Sequence, residues 1–427
     1  MWGTGREGRA ALKAIAPVGP ADLTVVQDKA TFVATPLSVP VLDGDAAHEA
    51  LLRADVVVRS PVIGESHPWI KELRARGTTI TGGTALWMAS HGGAAIGITG
   101  TKGKSTTSSL VSHLLTAAGR PNVLGGNIGV AVLDLPAAPL YVLELSMYQC
   151  ADLRDSPHIA VVTSLFPEHL DWTRDGTPEQ YYEHKLNLVA HGPAHVVYNG
   201  ADPLLAASLA ARPGLPLAPA DLFYVADGWF RRAGAPLFPR SALRLVGRHN
   251  EGNLLVALGV LEAAGVDVAA ADLAAAVAGF EPLPHRLTEI EDPSGVTFVD
   301  DSISTIPQST IYAIEGYLDR PLTVIVGGED RGVDYQPLRD FLASRSVVAT
   351  LIGVPDSGAR ILDIVKDVPT ITALVAEDLV AAVRLARSCT PPGGVVLLSP
   401  AAPSYGRFDN FEHRSRVFRQ AVEDTRP

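Results

Sequence analysis

The chain has 427 residues, 47% hydrophobic and 19% charged, with a formal net charge of -11; the length suggests about three domains of globular composition. With no block of basic residues, a duplex or polyanion finds no electrostatic footprint, while a small anionic substrate needs only a few local cations. Cys150 and Cys389 are too few for a disulfide framework and are expected to be small buried apolar side chains in a reducing cytoplasm, and neither a secretory leader nor a membrane span is expected.

At the N-terminus Gly3, Gly5 and Gly8 make a G-x-G-x-x-G pattern before a helical stretch over residues 9–15, with only two residues left for the leading strand. Leu23-Thr24-Val25-Val26, ending near Asp28, and Asp55-Val56-Val57-Val58, running into Arg59-Ser60-Pro61, read as further strands. Such alternation implies a parallel sheet with ligand at the C-terminal strand ends. The glycine loop then serves a pyrophosphate or uridine, or is a helix-packing turn; on its own it also admits a nicotinamide dehydrogenase.

From residue 94 the apolar run Ala94-Ala95-Ile96 leads into Gly97-Ile98-Thr99-Gly100-Thr101-Lys102-Gly103-Lys104-Ser105-Thr106-Thr107, followed by an amphipathic stretch over residues 108–118. Strand, glycine-rich turn and helix suit a nucleotide phosphate: the backbone N–H groups can turn toward an anion and the helix adds its positive end. Lys104 can reach the β/γ-phosphates, and a hydroxyl of Ser105 or Thr106 can ligate Mg²⁺. Ile98 stands where the strict pattern has glycine, so the loop is a variant.

Next come Gly125-Gly126-Asn127-Ile128-Gly129, a loop that tolerates unusual dihedrals, and Tyr141-Val142-Leu143-Glu144-Leu145-Ser146, an apolar strand holding one carboxylate. A charge there is expensive to bury unless paired or metal-bound, which makes Glu144 a candidate Mg²⁺ ligand or water-holder; the competing reading is a strand-edge glutamate in solvent. The strand 159–164 delivers Glu168-His169-Leu170-Asp171, where His169 can bind metal or orient a nucleophile. Residues 181–188 read as a helix, and its periodicity is compatible with Lys185 as an ordinary solvated lysine. Asn250 and Asn253 share a helix face and suit a purine edge, with capping by Asn250 as the alternative.

Gly279, Pro282 and Pro284 mark a linker. Strands at 297–299, 322–326 and 395–398 then end in Asp300-Asp301-Ser302, Gly327-Gly328-Glu329-Asp330-Arg331 and Ser399-Pro400-Ala401-Ala402-Pro403-Ser404-Tyr405. Polar residues again gather at strand C-termini, as in a doubly wound sheet. Arg286, Arg331 and Ser404 can hold a carboxylate or phosphate, or serve as salt bridges and caps.

Together the phosphate loop, Gly126-Asn127-Ile128-Gly129, Leu143-Glu144-Leu145-Ser146, Glu168-His169-Leu170-Asp171, Lys185, Gly247-Arg248-His249-Asn250, Pro284-His285-Arg286, Asp301-Ser302 and Asn410-Phe411-Glu412-His413-Arg414 resemble the Mur ligase family, within it the glutamate-adding branch. The resemblance covers nearly the whole chain. It implies three α/β domains: a Rossmann-like UDP-binding domain (1–92), a central ATP-binding domain of the P-loop ATPase type with a parallel sheet (93–281) and a Rossmann-like amino-acid-binding domain (282–427). It implies a cytoplasmic, monomeric enzyme that joins UDP-N-acetylmuramoyl-L-alanine to glutamate with ATP and two Mg²⁺ ions, with no nucleic acid or membrane partner.

By the same resemblance, Gly3, Thr4, Gly5, Arg6, Asp28, Ser60 and Asn127 serve the UDP substrate. Gly100, Thr101, Lys102, Gly103, Lys104, Ser105, Thr106, Asn250, Asn253, Arg286 and Asp301 serve ATP. Lys104, Glu144, His169 and Lys185 are the catalytic set, and Ser105, Glu144, His169 and Lys185 the metal set, the last carrying a CO₂-derived carbamate because an ammonium has the wrong charge for a metal ligand. Thr305, Arg331, Ser404, Tyr405 and Phe411 fall at glutamate-site positions. The D-glutamate enzymes usually carry Asp-Ser-Lys-Ala-Thr-Asn where this chain has Asp301-Ser302-Ile303-Ser304-Thr305-Ile306. Ile303 cannot pair with a carboxylate, Arg331 replaces a second lysine with a different donor shape, and Tyr405 stands where leucine is common. A minor branch that adds L-glutamate has this pattern, so L-glutamate is favoured and the D isomer is the alternative. Outside that reaction stand hydride transfer and a non-enzymatic ATP-driven switch.

Overall fold

The computed structural model describes residues 1–19, 22–27, 39, 41–218, 222–269 and 271–427. The chain divides into two compact units, one of Met1–Arg244 with Glu251–Phe280 and the other of Leu245–Asn250 with Glu281–Pro427. The predicted Asp28 lies outside the described residues.

In the first unit, β1 (Val25–Val26) pairs in parallel with β2 (Val41–Leu42), and β3 (Val56–Arg59) with β4 (Thr79–Gly82). Trp2 bridges Val26 on one side and Arg59 on the other, again in parallel. The leading strand is thus a single, fully buried tryptophan, and the order β2–β1–Trp2–β3–β4 is that of a mononucleotide-binding half. The helix Arg6–Ile15, capped by Gly5, begins three residues before the stretch read from sequence.

The central sheet holds β5 (Ala95–Thr99), β6 (Val123–Gly126), β7 (Tyr141–Glu144), β8 (Ile159–Val162) and β9 (His195–Tyr198), all parallel in the order β6–β7–β5–β8–β9. Its inner strands are buried along their whole length, so they appear in the sequence as largely apolar runs, with Glu144 as the exception. The helix after β5 runs Lys104–Ala117, starting four residues before the amphipathic stretch. Its first turn is polar, so apolar periodicity cannot reveal it. An antiparallel meander of β10 (Phe223–Ala226), β11 (Trp229–Arg232) and β12 (Ala235–Pro239) follows.

The second unit carries β13 (Thr288–Ile290), β14 (Thr297–Asp300), β15 (Leu322–Val326), β16 (Ala349–Gly353), β17 (Ile371–Val375) and β18 (Val395–Leu398) in the order β13–β14–β18–β15–β16–β17. β13 is antiparallel and the rest are parallel. Apolar clusters lie on both faces, around Val324, Leu351 and Leu397 on one and Phe298, Val396 and Phe418 on the other. The α/β class expected from sequence holds throughout. One expectation fails: Cys150 is buried but Cys389 is exposed. It closes the helix Leu379–Cys389, where the last turn leaves the core.

Candidate active site

The loop after β5 is held from beneath by the end of β8. Thr101 N–H donates to Ser164 O at 2.9 Å, Lys102 N–H to Ser164 Oγ at 2.9 Å, and Thr163 Oγ1 to Lys102 O at 2.5 Å. Gly103 caps the helix at φ +86°, and a Cβ there would lie 2.5 Å from Asn253 Oδ1, so only glycine fits. Lys104 Nζ donates to Gly100 O and Thr101 O, each at 3.0 Å, and Lys185 Nζ donates to the same Gly100 O at 2.7 Å. Two lysines on one carbonyl, with Lys102 in the same loop, make a local positive field in a chain of net negative charge. Ser105 and Thr106, half-buried, occupy the first turn of the helix.

Lys185 is 2% exposed, lies over the Tyr181 ring and is not the solvated lysine of the periodicity reading. Burial, and then the neighbouring Lys104, push its pKa well below the ordinary lysine value. Lys102 Nζ instead meets Glu168 Oε1 at 3.1 Å. Burial would raise the Glu168 carboxyl, but Lys102 and His169 hold it at about 2, an anion at any ordinary pH. His169 follows at φ +55°, with its ring 5.6 Å from that of Tyr148.

Glu144 stands in register with Ile98 of β5, one strand from the loop. It is 2% exposed, not solvent-facing. Its Oε1 accepts from Asn127 Nδ2 at 2.6 Å, while Oε2 is buried and has no hydrogen-bond partner. A buried, half-satisfied carboxylate is costly unless a cation completes it. Among the described residues no three His, Cys, Asp or Glu side chains converge into a ready-made metal site. That fits Mg²⁺, which takes one or two carboxylates and fills its shell with phosphate oxygens and water.

At the N-terminal sheet the predicted residues collect on the C-terminal strand ends. Ser60 N–H donates to Trp2 O at 2.7 Å, Gln27 Nε2 donates to Thr4 Oγ1, and Arg9 Nε donates to Thr4 O at 2.9 Å. Arg6 reaches out to carbonyls of residues 126–129. Asn253 sits near Thr107, its Oδ1 accepting from Thr107 Oγ1 at 3.3 Å, while Asn250 Nδ2 donates to Val246 O at 2.7 Å.

In the second unit Asp301 is buried, and its Oδ2 accepts from Ser304 Oγ and from Ser399 Oγ (2.8 Å). Burial raises its pKa to about 7 despite these hydroxyls and the field of Arg286. Arg331 pairs with Glu329 at 2.7 Å and lies 5.6 Å over the Tyr405 ring. A cavity of about 240 Å³ is lined by Ser404, Tyr405, Gly328, Arg407 and Arg414 among others. Phe411 does not line this cavity; its carbonyl accepts from Ser302 Oγ at 2.9 Å, and its ring lies 5.7 Å from His285. No hydrogen bond among the described residues ties Thr305 to either group.

The Mur ligase middle domain pattern matches residues 98–215. The UDP-N-acetylmuramoyl-L-alanine–L-glutamate ligase of a Micromonospora species is 60% identical, covering 100% of this chain and 96% of its own. The chain belongs to the Mur ligase family. Solved Mur ligase structures share the fold at 18% identity: MurC from Thermotoga maritima, with a TM-score of 0.58, covering 100% of this chain and 99% of its own, and MurF from the same organism in complex with ADP, at 0.57, covering 94% and 89%.

As a Mur ligase the chain is an enzyme that forms a bond between an acid and an amino acid, and the hydride-transfer and switch readings of its motifs fall away. Several residues beside the candidate site are not signalled by the sequence. The motif around Glu168 gives that residue no role, and only the fold brings Lys102 to it. Tyr181 roofs Lys185 and donates to Thr101 Oγ1 at 3.2 Å, a contact across 80 residues that no local pattern signals.

Proposed function

We propose that this Mur ligase adds glutamate to UDP-N-acetylmuramoyl-L-alanine at the expense of ATP, acting as a cytoplasmic monomer. The carrying observation is the meeting of Lys104 and Lys185 on one carbonyl of the glycine loop, with the half-satisfied Glu144 on the adjoining strand. A carboxylate is a poor electrophile, and its oxide a poor leaving group. Transfer of the γ-phosphoryl group to the terminal carboxylate gives an acyl phosphate. The amine of glutamate attacks its carbonyl carbon, and the tetrahedral intermediate expels phosphate.

In this reading Lys104 exchanges its two carbonyls for phosphate oxygens, and the N–H groups that open the helix Lys104–Ala117 cradle them. Ser105 and Glu144 hold one Mg²⁺, and His169 with Lys185 a second. Bound Mg²⁺ offsets the repulsion between triphosphate and carboxylate. Lys185 fits a carbamate: burial favours its neutral amine, whose lone pair can bond to CO₂ with release of one proton, leaving an anion. Asn253 and Asn250 serve adenine, and Arg286 and Asp301 the rest of ATP. Gly3, Thr4, Gly5, Ser60 and Asn127 take the UDP substrate. The functional division is 1–92 for UDP, 93–281 for ATP and 282–427 for the amino acid.

The amino acid is L-glutamate. Ile303 offers no charge where the D-glutamate enzymes have lysine. Arg331, steadied over Tyr405, supplies a fork that can grip a carboxylate with two hydrogen bonds. Relatives at 60% identity carry the L-glutamate name. The test is phosphate release from ATP with UDP-N-acetylmuramoyl-L-alanine and either isomer. Release that depends on L-glutamate is expected; dependence on D-glutamate reverses the isomer, and dependence on neither removes the reaction.

A further inference from the structure

Arg6 is spent on a neighbouring loop. Its Nη1 donates to Gly129 O at 2.6 Å, and its Nη2 to Gly126 O and Asn127 O, each at 3.2 Å. Three carbonyl oxygens converge because Gly126, at φ +99°, turns the chain back after β6. They form a cup of partial negative charge that a planar guanidinium fills from one side. The far side of the same loop reaches Glu144 by two bonds: Asn127 N–H donates to Glu144 O at 2.8 Å, and Asn127 Nδ2 donates to Glu144 Oε1 at 2.6 Å. An unbroken line of hydrogen bonds thus runs from the first glycine loop, through Arg6 and the loop 126–129, to the buried Glu144 carboxylate, whose Oε2 has no hydrogen-bond partner. The helix that Arg6 opens is tied to the same region at its other end, where Lys13 Nζ meets Asp134 at 2.8 Å.

We infer that Arg6 is a positioning residue for Glu144, acting through the backbone of 126–129 and the Asn127 amide, and not primarily a ligand of the UDP diphosphate. The inference rests on the ligase reading, since it needs Glu144 to hold a cation. Arg6 fixes where Asn127 stands, and Asn127 fixes which Glu144 oxygen is used up and which is left for Mg²⁺. Groups that orient a metal ligand from behind are typically worth about 10–100-fold in affinity or activity.

Arg6→Met removes the three donations and keeps the length of the side chain; Arg6→Lys keeps the charge but loses the fork. Two quantities are measured: the Mg²⁺ concentration for half-maximal glutamate-dependent phosphate release, and the calorimetric Kd of UDP-N-acetylmuramoyl-L-alanine without ATP or metal. Arg6→Met is expected to raise the Mg²⁺ requirement by about tenfold. Arg6→Lys should raise it less, and both variants should leave the calorimetric Kd within about twofold. Combined with Asn127→Ala, Arg6→Met should add nothing to the Mg²⁺ defect of Asn127→Ala alone, because both act on one line. A weakened Kd with an unchanged Mg²⁺ requirement overturns the inference in favour of direct diphosphate contact, and additive Mg²⁺ defects overturn it in favour of independent sites. If Arg6→Met fails to fold, Arg6→Lys carries the same comparison. Failure of the wild-type protein to release phosphate with either glutamate isomer strikes the ligase reading itself and is recognised before any variant is made.

Discussion

Lys185 occupies a place where an ammonium is hard to keep. It is buried under Tyr181, it shares Gly100 O with Lys104, and among the described residues no carboxylate accepts a hydrogen bond from its Nζ. An ordinary structural lysine would be paired or would reach solvent. Burial favours the neutral amine, and under the proposed function CO₂ adds to it to give a carbamate that would serve as a metal ligand. Lys185→Ala is therefore expected to lower turnover by about a hundredfold or more, and acetate or formate should restore part of it by filling the vacated space. Steady-state phosphate release with and without added carboxylate measures both. Full activity in the unrescued variant would show that the amine has no part in the reaction. Periodicity could not reveal this residue, because a nine-residue helix with one buried lysine reads the same whether its partner is water or a distant loop.

At the scale of single elements, the end of β14 shows how a strand divides its labour. Consecutive side chains point to opposite faces, so the adjacent carboxylates meet different surroundings. Asp300 accepts from His285 at 3.0 Å, Ser415 at 2.6 Å and Arg419 at 3.0 Å. Asp301 accepts instead from the hydroxyls of Ser304 and Ser399. Its pKa therefore rises from 3.8 to about 7, chiefly through burial. The raised folded-state value means that the protonated form favours folding. The stabilisation is complete below the unfolded value near 4 and is lost as pH climbs through about 7, at about 1.4 kcal/mol per unit of displacement. Asp301→Asn should flatten that dependence: the gap between wild-type and variant denaturation midpoints, measured without ligands, is expected to change steadily between about pH 4 and 7. Parallel curves would contradict it.

Elements of this kind were the most legible part of the chain. Leu322–Val326 and Val395–Leu398 fall where the apolar runs placed them, because glycine or proline punctuates their ends and both faces are buried. The first turn of Lys104–Ala117 was not legible, since residues that face a ligand carry no apolar signature. Glu144 was readable as a charge that an apolar strand must justify. The Lys102–Glu168 pair and the Arg6 clamp were not, because both join segments far apart in sequence. Cys389 was misread because composition says nothing about which side of a helix a small side chain takes.

At the scale of the whole molecule, the first unit is fastened together by charge as well as by packing. Arg59, 2% exposed, makes a two-pronged bond to Asp152 at 2.8 and 2.7 Å and meets Glu65 at 2.6 Å, while Arg74 takes the same Glu65 oxygen at 2.8 Å. Burial works against the Arg59 charge, but the two carboxylates more than restore it, and Glu65 is held below the usual carboxylate range. Trp172 Nε1 donates to Pro61 O at 2.9 Å and Ser66 Oγ to Asp171 O at 2.8 Å, so the segment that follows His169 is pinned to the end of β3. The N-terminal sheet and the phosphate-loop sheet are thereby joined within the first unit, and the proposed function needs that joining to bring a nucleotide-linked substrate to a triphosphate.

That meeting is the central claim, and isotope transfer tests it directly. With ¹⁸O in both oxygens of the terminal carboxylate of UDP-N-acetylmuramoyl-L-alanine, the oxygen that attacks the γ-phosphorus stays with it when the glutamate amine displaces phosphate. Mass spectrometry of the released phosphate is predicted to find one ¹⁸O atom per molecule and the other retained in the new amide. Phosphate free of ¹⁸O, released at the same rate as product, would contradict an acyl phosphate and with it the proposed use of the site.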